Sequence, residues 1–410
     1  MPASRRSLRG LDWFAFFVAD VQTGFGPFVS VYLTAQKWTQ VDIGLILSVA
    51  GVVSLIGQIP GGVLLDAARS ERLVAATAVG LISASAIAYA AWPIFPIVFT
   101  AAALHAAASC LLGPAIAAMS LGLVGQSAIG ERLGRNARFA SIGAGLSAAI
   151  MGACGYFFET RSVFLVTAAL LIPTWIALSF IAPREIDPEQ AHGSPPQQQV
   201  DRPARGTLRS LLSRPLLVFG CSILLFHLAN AAMLPLMGSV LTTRSSDWAT
   251  ILIAACMVGP QIVVALCSPW AGRQAQRWGR RPILLIGLAA LPLRGLLFAT
   301  VTDPYLLVLA QLLDGVTATV FSVMVPLTVA DLTRGTGHFN LTQGLVGTMM
   351  GIGASLSPTL AGYITDTAGS STAFLGLAVI AFVGLMVVAL FMPETRPHEQ
   401  KPPCHGKKSP

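Results

Sequence analysis

The apolar residues of this chain are gathered into runs of roughly 20 to 28, each long enough to cross about 30 Å of hydrocarbon at about 1.5 Å of helix rise per residue. Twelve such spans are expected, at 11–34, 42–66, 72–91, 95–122, 140–158, 162–182, 215–241, 249–271, 282–301, 304–330, 343–366 and 371–393. Only 11% of the 410 residues are charged and 54% are hydrophobic, whereas a soluble domain carries about 25% charged residues. The pattern predicts an all-α membrane protein. The opening MPASRRSLRG is too short for a secretory signal, lacks a cleavage pattern, and reads as a cytoplasmic lead into the first span.

A net charge of +8 invites a nucleic-acid reading, but the placement of the bases opposes it. Counting the intervening loops alternately, 22 of the 26 Lys and Arg residues fall on the side that carries the N-terminus, and only Lys37, Arg161 and Arg244 fall on the other. Arg294 lies within a span. Positive residues stay on the cytoplasmic side, so both termini are expected inside, and the basic balance reports topology rather than an acidic partner. Five cysteines (110, 154, 221, 256 and 267) are scattered singly through the spans and read as small core residues. Cys404 and His405 adjoin in the tail, too few ligands for a metal site. No metal and no cofactor is expected. No GxxxxGK[ST] loop is present, so direct ATP drive is not expected.

Between spans six and seven lies a polar segment rich in Pro and Gln, residues 183–214, too poor in apolar residues to fold alone. It is expected to link an N-terminal six-helix unit (1–182) to a C-terminal one (215–393), followed by a cytoplasmic tail (394–410). The units repeat. Asp20 matches Asn230 at a shift of 210, and Gly62 and Asp66 match Gly272 and Gln276 at the same shift. His105 and Asp314 are 209 apart, and GAGLS at 143–147 matches GIGAS at 351–355, shifted by 208. Parallel six-helix repeats place a binding site near mid-membrane between the halves.

Twelve spans, a duplicated half and a central loop resemble the major facilitator superfamily over nearly the whole chain. The most specific match is the loop after the second helix of each half, where the family pattern is G-x-x-x-D-[RK]-x-G-[RK]-[RK]. The sequence GRQAQRWGRR supplies Gly272, Arg277, Gly279, Arg280 and Arg281, with Gln276 in place of the acid; GVLLDAARSE supplies only Gly62 and Asp66. The resemblance implies that these loops latch the cytoplasmic ends of the two halves in one state, Asp66 receiving charge-assisted hydrogen bonds from arginines or sitting at a helix N-terminus across the interface. The family's R-x-x-Q-G pattern is absent from helix four, where Ala102 and His105 occupy the positions of the arginine and glutamine. QLLDG at 311–315 echoes it in helix ten. The Gly-Pro pair of antiporters is absent from helix five.

A charged group at mid-membrane costs roughly 2.5–3.5 kcal/mol on insertion scales, so polar residues within spans should face protein or water. Asp20 and Gln22 in span one (FFVADVQTG), His105 in span four, His227 and Asn230 in span seven, and Gln311 and Asp314 in span ten lie on the first helix of each three-helix unit. The resemblance implies that these helices line the central cavity. They are the candidate substrate and proton sites, with Asp20 the leading proton carrier. Gln58, Gln261 and Arg294 are expected elsewhere, and antiparallel packing predicts an ion pair between Arg294 and Asp314. Glu131 and Asp331, in the loops after spans four and ten, are candidate gate residues, and the glycines of spans five and eleven suit close, sliding helix contacts.

The resulting expectation is a monomeric secondary transporter of a small organic solute, working by alternating access in the lipid bilayer of a bacterial cytoplasmic membrane. It is expected to be proton-coupled and exporting; import of a nutrient or siderophore-like ligand is the close alternative, and a membrane-embedded enzyme or sensor a remote one. The bias to Arg over Lys fits a GC-rich bacterium.

Overall fold

The computed structural model describes residues 3–23, 29, 32–33, 36–158, 161–193, 213–244 and 249–396. Among them all regular structure is helical. The N-terminal half contains α1 (Arg5–Thr23), α2 (Gln40–Asp66), α3 (Glu71–Ala91), α4 (Phe95–Phe157), α5 (Arg161–Ala169) and α6 (Leu171–Ser179). After a 3-10 turn at Pro183–Glu185 and the single turn α7 (Pro188–Ala191), the C-terminal half contains α8 (Arg214–Asn230), α9 (Met233–Arg244), α10 (Ala249–Trp278), α11 (Arg280–Thr300), α12 (Pro304–Leu332), α13 (Phe339–Ala368) and α14 (Ser370–Phe391).

Helix ends are set by local chemistry. Thr39, Ser70 and Asp303 have extended backbones and accept from first-turn N–H groups of α2, α3 and α12. Pro173 and Pro235 lack the N–H that would bond one turn back, so expected span six divides into α5 and α6, and span seven into α8 and α9.

Helix α4 runs for 63 residues, roughly 95 Å if straight, three times the hydrocarbon thickness. It is two spans. Gly125 adopts φ 67°, ψ 178° and breaks it, a conformation in which a Cβ is disfavoured. The reversal is proved by a hydrogen bond from Asn136 Nδ2 to Ser120 Oγ at 2.7 Å, since sixteen residues of unbroken helix would hold these groups roughly 24 Å apart. Spans four and five are thus the two limbs of α4. Nine helical stretches among the described residues are long and apolar enough to cross a membrane.

Both the start of α1 and the end of α14 lie at one end of the bundle, together with Gly125, the end of α2, the end of α10 and the first part of the linker. Ser4 bonds to Glu185, Asp187 N–H to Gly122 O, and Glu394 to Arg280 N–H. Among the described residues, the halves meet closely at this basic end. A Cβ on Gly62 would lie 2.2 Å from Asn340 O, and one on Gly272 would lie 2.1 Å from Gly130 O. Gly344 approaches Gln58 O, and Gly134 approaches Ser268 O, in the same way. The four contacts pair residues at a constant shift of 210, so α2 on α13 and α10 on the second limb of α4 are equivalent seams. On the inner side of each half Gly143 presses on the backbone of α1 at Phe16 and Gly353 on that of α8 at Leu224. Further from the basic end, a Cβ at Gly51, Gly145 or Gly362 would meet nothing within 4 Å.

Candidate functional site

The deepest ionic group in the C-terminal half is built by three helices. Arg294, on α11, is 1% exposed. Its guanidinium donates to Asp314 Oδ1 on α12 and to Asn230 Oδ1 at the end of α8, with Met233 Sδ 3.4 Å away and the ring of Phe298 5.8 Å from the guanidinium carbon. Gln311, fully buried one turn before Asp314, reaches its second carboxylate oxygen at 3.5 Å. Asp314 retains 26% side-chain exposure. The expected Arg294–Asp314 pair therefore forms. Arg294, placed apart from the central candidates on sequence grounds, instead joins two of them, Asn230 and Asp314. Asn230 is correspondingly occupied by an arginine rather than displayed beside His227 as a free donor–acceptor. Guanidinium geometry explains the arrangement: a planar fork with five donors can bridge two acceptors on different helices.

The other candidates separate from this cluster. His227 Nδ1 lies 3.0 Å from Ile223 O, its own preceding turn, and its ring packs edge-on to Phe226 and Phe321. His105 is half-buried on the first limb of α4, between buried Ala102 and Ala106. Asp20 and Gln22 lie on the helical backbone of α1, but their side chains fall outside the described residues, as do Cys404 and His405. Gln58 sits at the seam of the halves, under Gly344 and Gly347.

At the basic end the two family-like loops act differently. Asp66 accepts from Asn340 N–H at 3.1 Å, Asn340 Nδ2 at 2.8 Å and Leu341 N–H at 2.8 Å. It thereby caps the start of α13, across the seam, satisfying N–H groups that a first helical turn leaves unbonded. The equivalent Gln276 caps nothing: it accepts from Arg280 at 3.0 Å within its own half and touches Gly130. The reason is backbone. Gly130 lies a turn inside the second limb of α4, where N–H groups are already used, whereas Asn340 follows the first residue of α13.

The arginines of the second loop also turn inward. Buried Arg280 pairs with Asp331 at 2.6 Å, and Arg281 donates to Ala389 O. Gly279, at φ 101°, and the N–H groups of Arg280 and Arg281 sit against the Glu394 carboxylate. Arg277 is exposed, its carbonyl receiving Arg396 at 2.8 Å. Of this loop, Gly272 and Gln276 touch the other half in these contacts, while Gly279, Arg280 and Arg281 brace their own. The two gate candidates lie in different settings: Glu131 is exposed on α4, and Asp331 is sealed against Arg280 at the end of α12.

Two features were not read from sequence. Asp12, 1% exposed, receives Arg132 and Arg135. Arg132 also holds Asn136, which holds Ser120, so α1 and both limbs of α4 are tied together. The i, i+3, i+4 spacing of Arg132, Arg135 and Asn136 was a usable signal, lost among topological arginines. The first part of the linker is the second feature. Gly193 O accepts from Gly335 N–H at 2.7 Å and from Gly337 N–H at 3.3 Å, while His192 Nε2 lies 3.0 Å from Glu71 Oε1. The linker start thus folds, not alone but on both halves. The Glu71 carboxylate raises the pKa of His192 above the ordinary histidine value.

The profile of the Major Facilitator Superfamily matches residues 13–259 and 220–408. The chain belongs to the major facilitator superfamily. An uncharacterised MFS-type transporter of Mycobacterium tuberculosis (strain H37Rv) is 38% identical over 396 residues, covering 95% of this chain and 94% of its own length. The class B tetracycline resistance protein of Escherichia coli is 29% identical over 33% of each chain. Among solved structures, the human organic anion transporter MFSD10 aligns with a TM-score of 0.70 at 14% identity, covering 95% of this chain and all of its own. A proton:xylose symporter aligns with a TM-score of 0.69 at 15% identity, covering 95% of each. At those identities the likeness establishes the fold, twelve transmembrane helices in two pseudo-symmetric six-helix bundles. In this MFS transporter the Arg294 cluster is an ion pair whose acid keeps partial access to its surroundings, and the Asp66 cap is a contact made across the seam between the halves.

Proposed function

We propose that the chain is a proton-coupled exporter of a small organic solute, and that Asp314 carries the coupling proton. The single observation behind this reading is the Asn230–Arg294–Asp314 bridge. A buried pair is neutral only while both partners are charged; a proton on Asp314 leaves Arg294 held by Asn230 alone and frees α12 from α11. The quarter exposure of Asp314 provides a route for that proton. With the positive-inside rule placing the basic end in the cytoplasm, the conformation here is shut on the cytoplasmic side. Proton loading from outside followed by opening of the Asp66 seam completes the alternation, the ligands shifting the balance of states. The match to tetracycline resistance proteins over one third of the chain supports export. Asp20, Gln22, His105 and His227 remain the proposed substrate-facing set, while Gln311 is closed into the Arg294 cluster.

The test is solute movement in proteoliposomes with an imposed pH gradient. Wild type should accumulate or expel solute against its gradient, and Asp314→Asn should lose the gradient dependence while retaining facilitated exchange. Unaltered proton-driven movement in Asp314→Asn would remove Asp314 from the mechanism, and movement only along with protons into the cell would favour import.

A further inference from the structure

A groove of about 350 Å³ opens on the outer flank of the N-terminal half, at the basic end, between the start of α3 and the end of α6. Ser70 and Arg72 form one wall, Trp175 and Ser179 the other, with Leu178 and Pro183 below. Arg72 is half-buried, and Arg6 and Arg184 are exposed beside it. Arg6 stacks over the ring of Phe180, next to Ser179, at 5.2 Å, and Arg184 adjoins Pro183. Among the described residues none of these three arginines has an acidic partner. The nearby acids are already engaged: Glu71 is buried against His192, and Glu185 accepts from Ser4 N–H and Oγ. The flank around the groove is apolar, with Leu73 65%, Ile172 65% and Ile176 51% exposed. Trp175, its N–H given to Ala76 O at 3.0 Å, lies one turn before the end of α6, and tryptophan is enriched where membrane helices reach the interface.

We infer that this groove binds the headgroup of an anionic glycerophospholipid from the leaflet at the basic end. The arginines supply three uncompensated positive charges, the phosphodiester takes bidentate hydrogen bonds from Arg72, and the acyl chains lie over Leu73 and Ile176. Charge complementarity with a continuous apolar approach favours a lipid over a soluble anion, which would gain nothing from the exposed leucine and isoleucines. At the equivalent position in the C-terminal half, among the described residues, Arg280 is paired with Asp331, and Arg281 donates to Ala389 O with its N–H on the Glu394 carboxylate. The inference is independent of the coupling reading.

The test is native mass spectrometry of the full chain titrated with phosphatidylglycerol, with phosphatidylcholine, and with phosphatidylglycerol in the presence of excess soluble glycerol phosphate. The expected result is a retained phosphatidylglycerol adduct, no equal phosphatidylcholine adduct, and little competition by glycerol phosphate. Each cation near a membrane surface strengthens such binding about fivefold, so Arg72→Gln should weaken the adduct about fivefold and Arg72→Gln with Arg184→Gln about 25-fold. Quenching of Trp175 by brominated phosphatidylglycerol, assigned by its absence in Trp175→Phe, places the lipid in this groove in protein whose helix content is unchanged. Equal retention of the two lipids, equal retention by the arginine variants, or full displacement by glycerol phosphate would overturn the assignment.

Discussion

In the N-terminal half the buried ionic cluster lies at the basic end, where Asp12 receives Arg132 and Arg135 and the chain of contacts runs on through Asn136 to Ser120. The C-terminal half has its own basic-end pair, Arg280 with Asp331, but adds a second one deep in the span, Arg294 with Asp314 and Asn230. At the shift of 210 the counterparts of Asp12, Arg132 and Asn136 are Ser222, Thr342 and Val346, and the counterpart of Arg294 is Ala84. The same backbone therefore carries its charges in different places. The N-terminal cluster fastens two limbs of one long helical segment to α1, and Asp12 is closed to solvent. The deep C-terminal pair joins three separate helices and leaves its acid partly open. The first arrangement suits a fixed joint, and the second suits a joint that changes state.

The largest expected effect comes from breaking the fixed joint. Asp12→Ala strands Arg132 without a counter-charge, which costs about 3–5 kcal/mol when a buried pair is broken on one side; chemical unfolding of the purified protein should show it, and replacing Arg132 and Asp12 together by Met and Leu should recover most of the loss. Asp314→Asn should cost less stability, about 1–3 kcal/mol, because Asn still accepts from Arg294, yet it should abolish proton-driven transport. If both variants lost stability equally and coupling equally, the distinction between the joints would fail.

The seams sharpen the same contrast. Removal of the cap in Asp66→Ala should destabilise the shut basic end by about 1 kcal/mol, whereas Gln276→Ala should shift it by less than about 0.5 kcal/mol. Spin-label distances across α2 and α13, compared with those across α4 and α10, report the difference directly: only the first seam should widen in Asp66→Ala. The smallest effect is a pH dependence. The folded pKa of His192 is raised beside Glu71, so the contribution of that contact is complete below the ordinary histidine value near 6.5 and is lost as pH rises through the folded value. Widening between the linker start and the loop at Gly335 should therefore grow with pH across that window. His192→Gln should flatten the profile; a slope that survives the substitution would assign it to another group.

Much of this could be read before any coordinates. The Arg294–Asp314 pair followed from counting residues on either side of the turn at Asp303, because antiparallel neighbours fix relative depth. Asp66 was seen to suit a helix N-terminus. Its difference from Gln276 was not seen, because the sequence does not announce that one seam meets the start of a helix and the other meets its interior. Sequence alone separates Asn230 from Arg294 because a helix face is known only relative to its own axis.

Hydrophobic length and charge asymmetry determined that this chain spans the membrane many times and that one end is basic, and matched residues at a near-constant shift showed that it is duplicated; sums and periods along a chain need no partner. The tertiary structure decided which buried charge meets which: Arg132 with Asp12 across 120 residues, Arg294 with Asn230 across 64. Pairing depends on the rotation of one helix about its axis relative to another, and that angle is set by glycine contacts and side-chain volumes at the seams, which no single stretch of sequence contains.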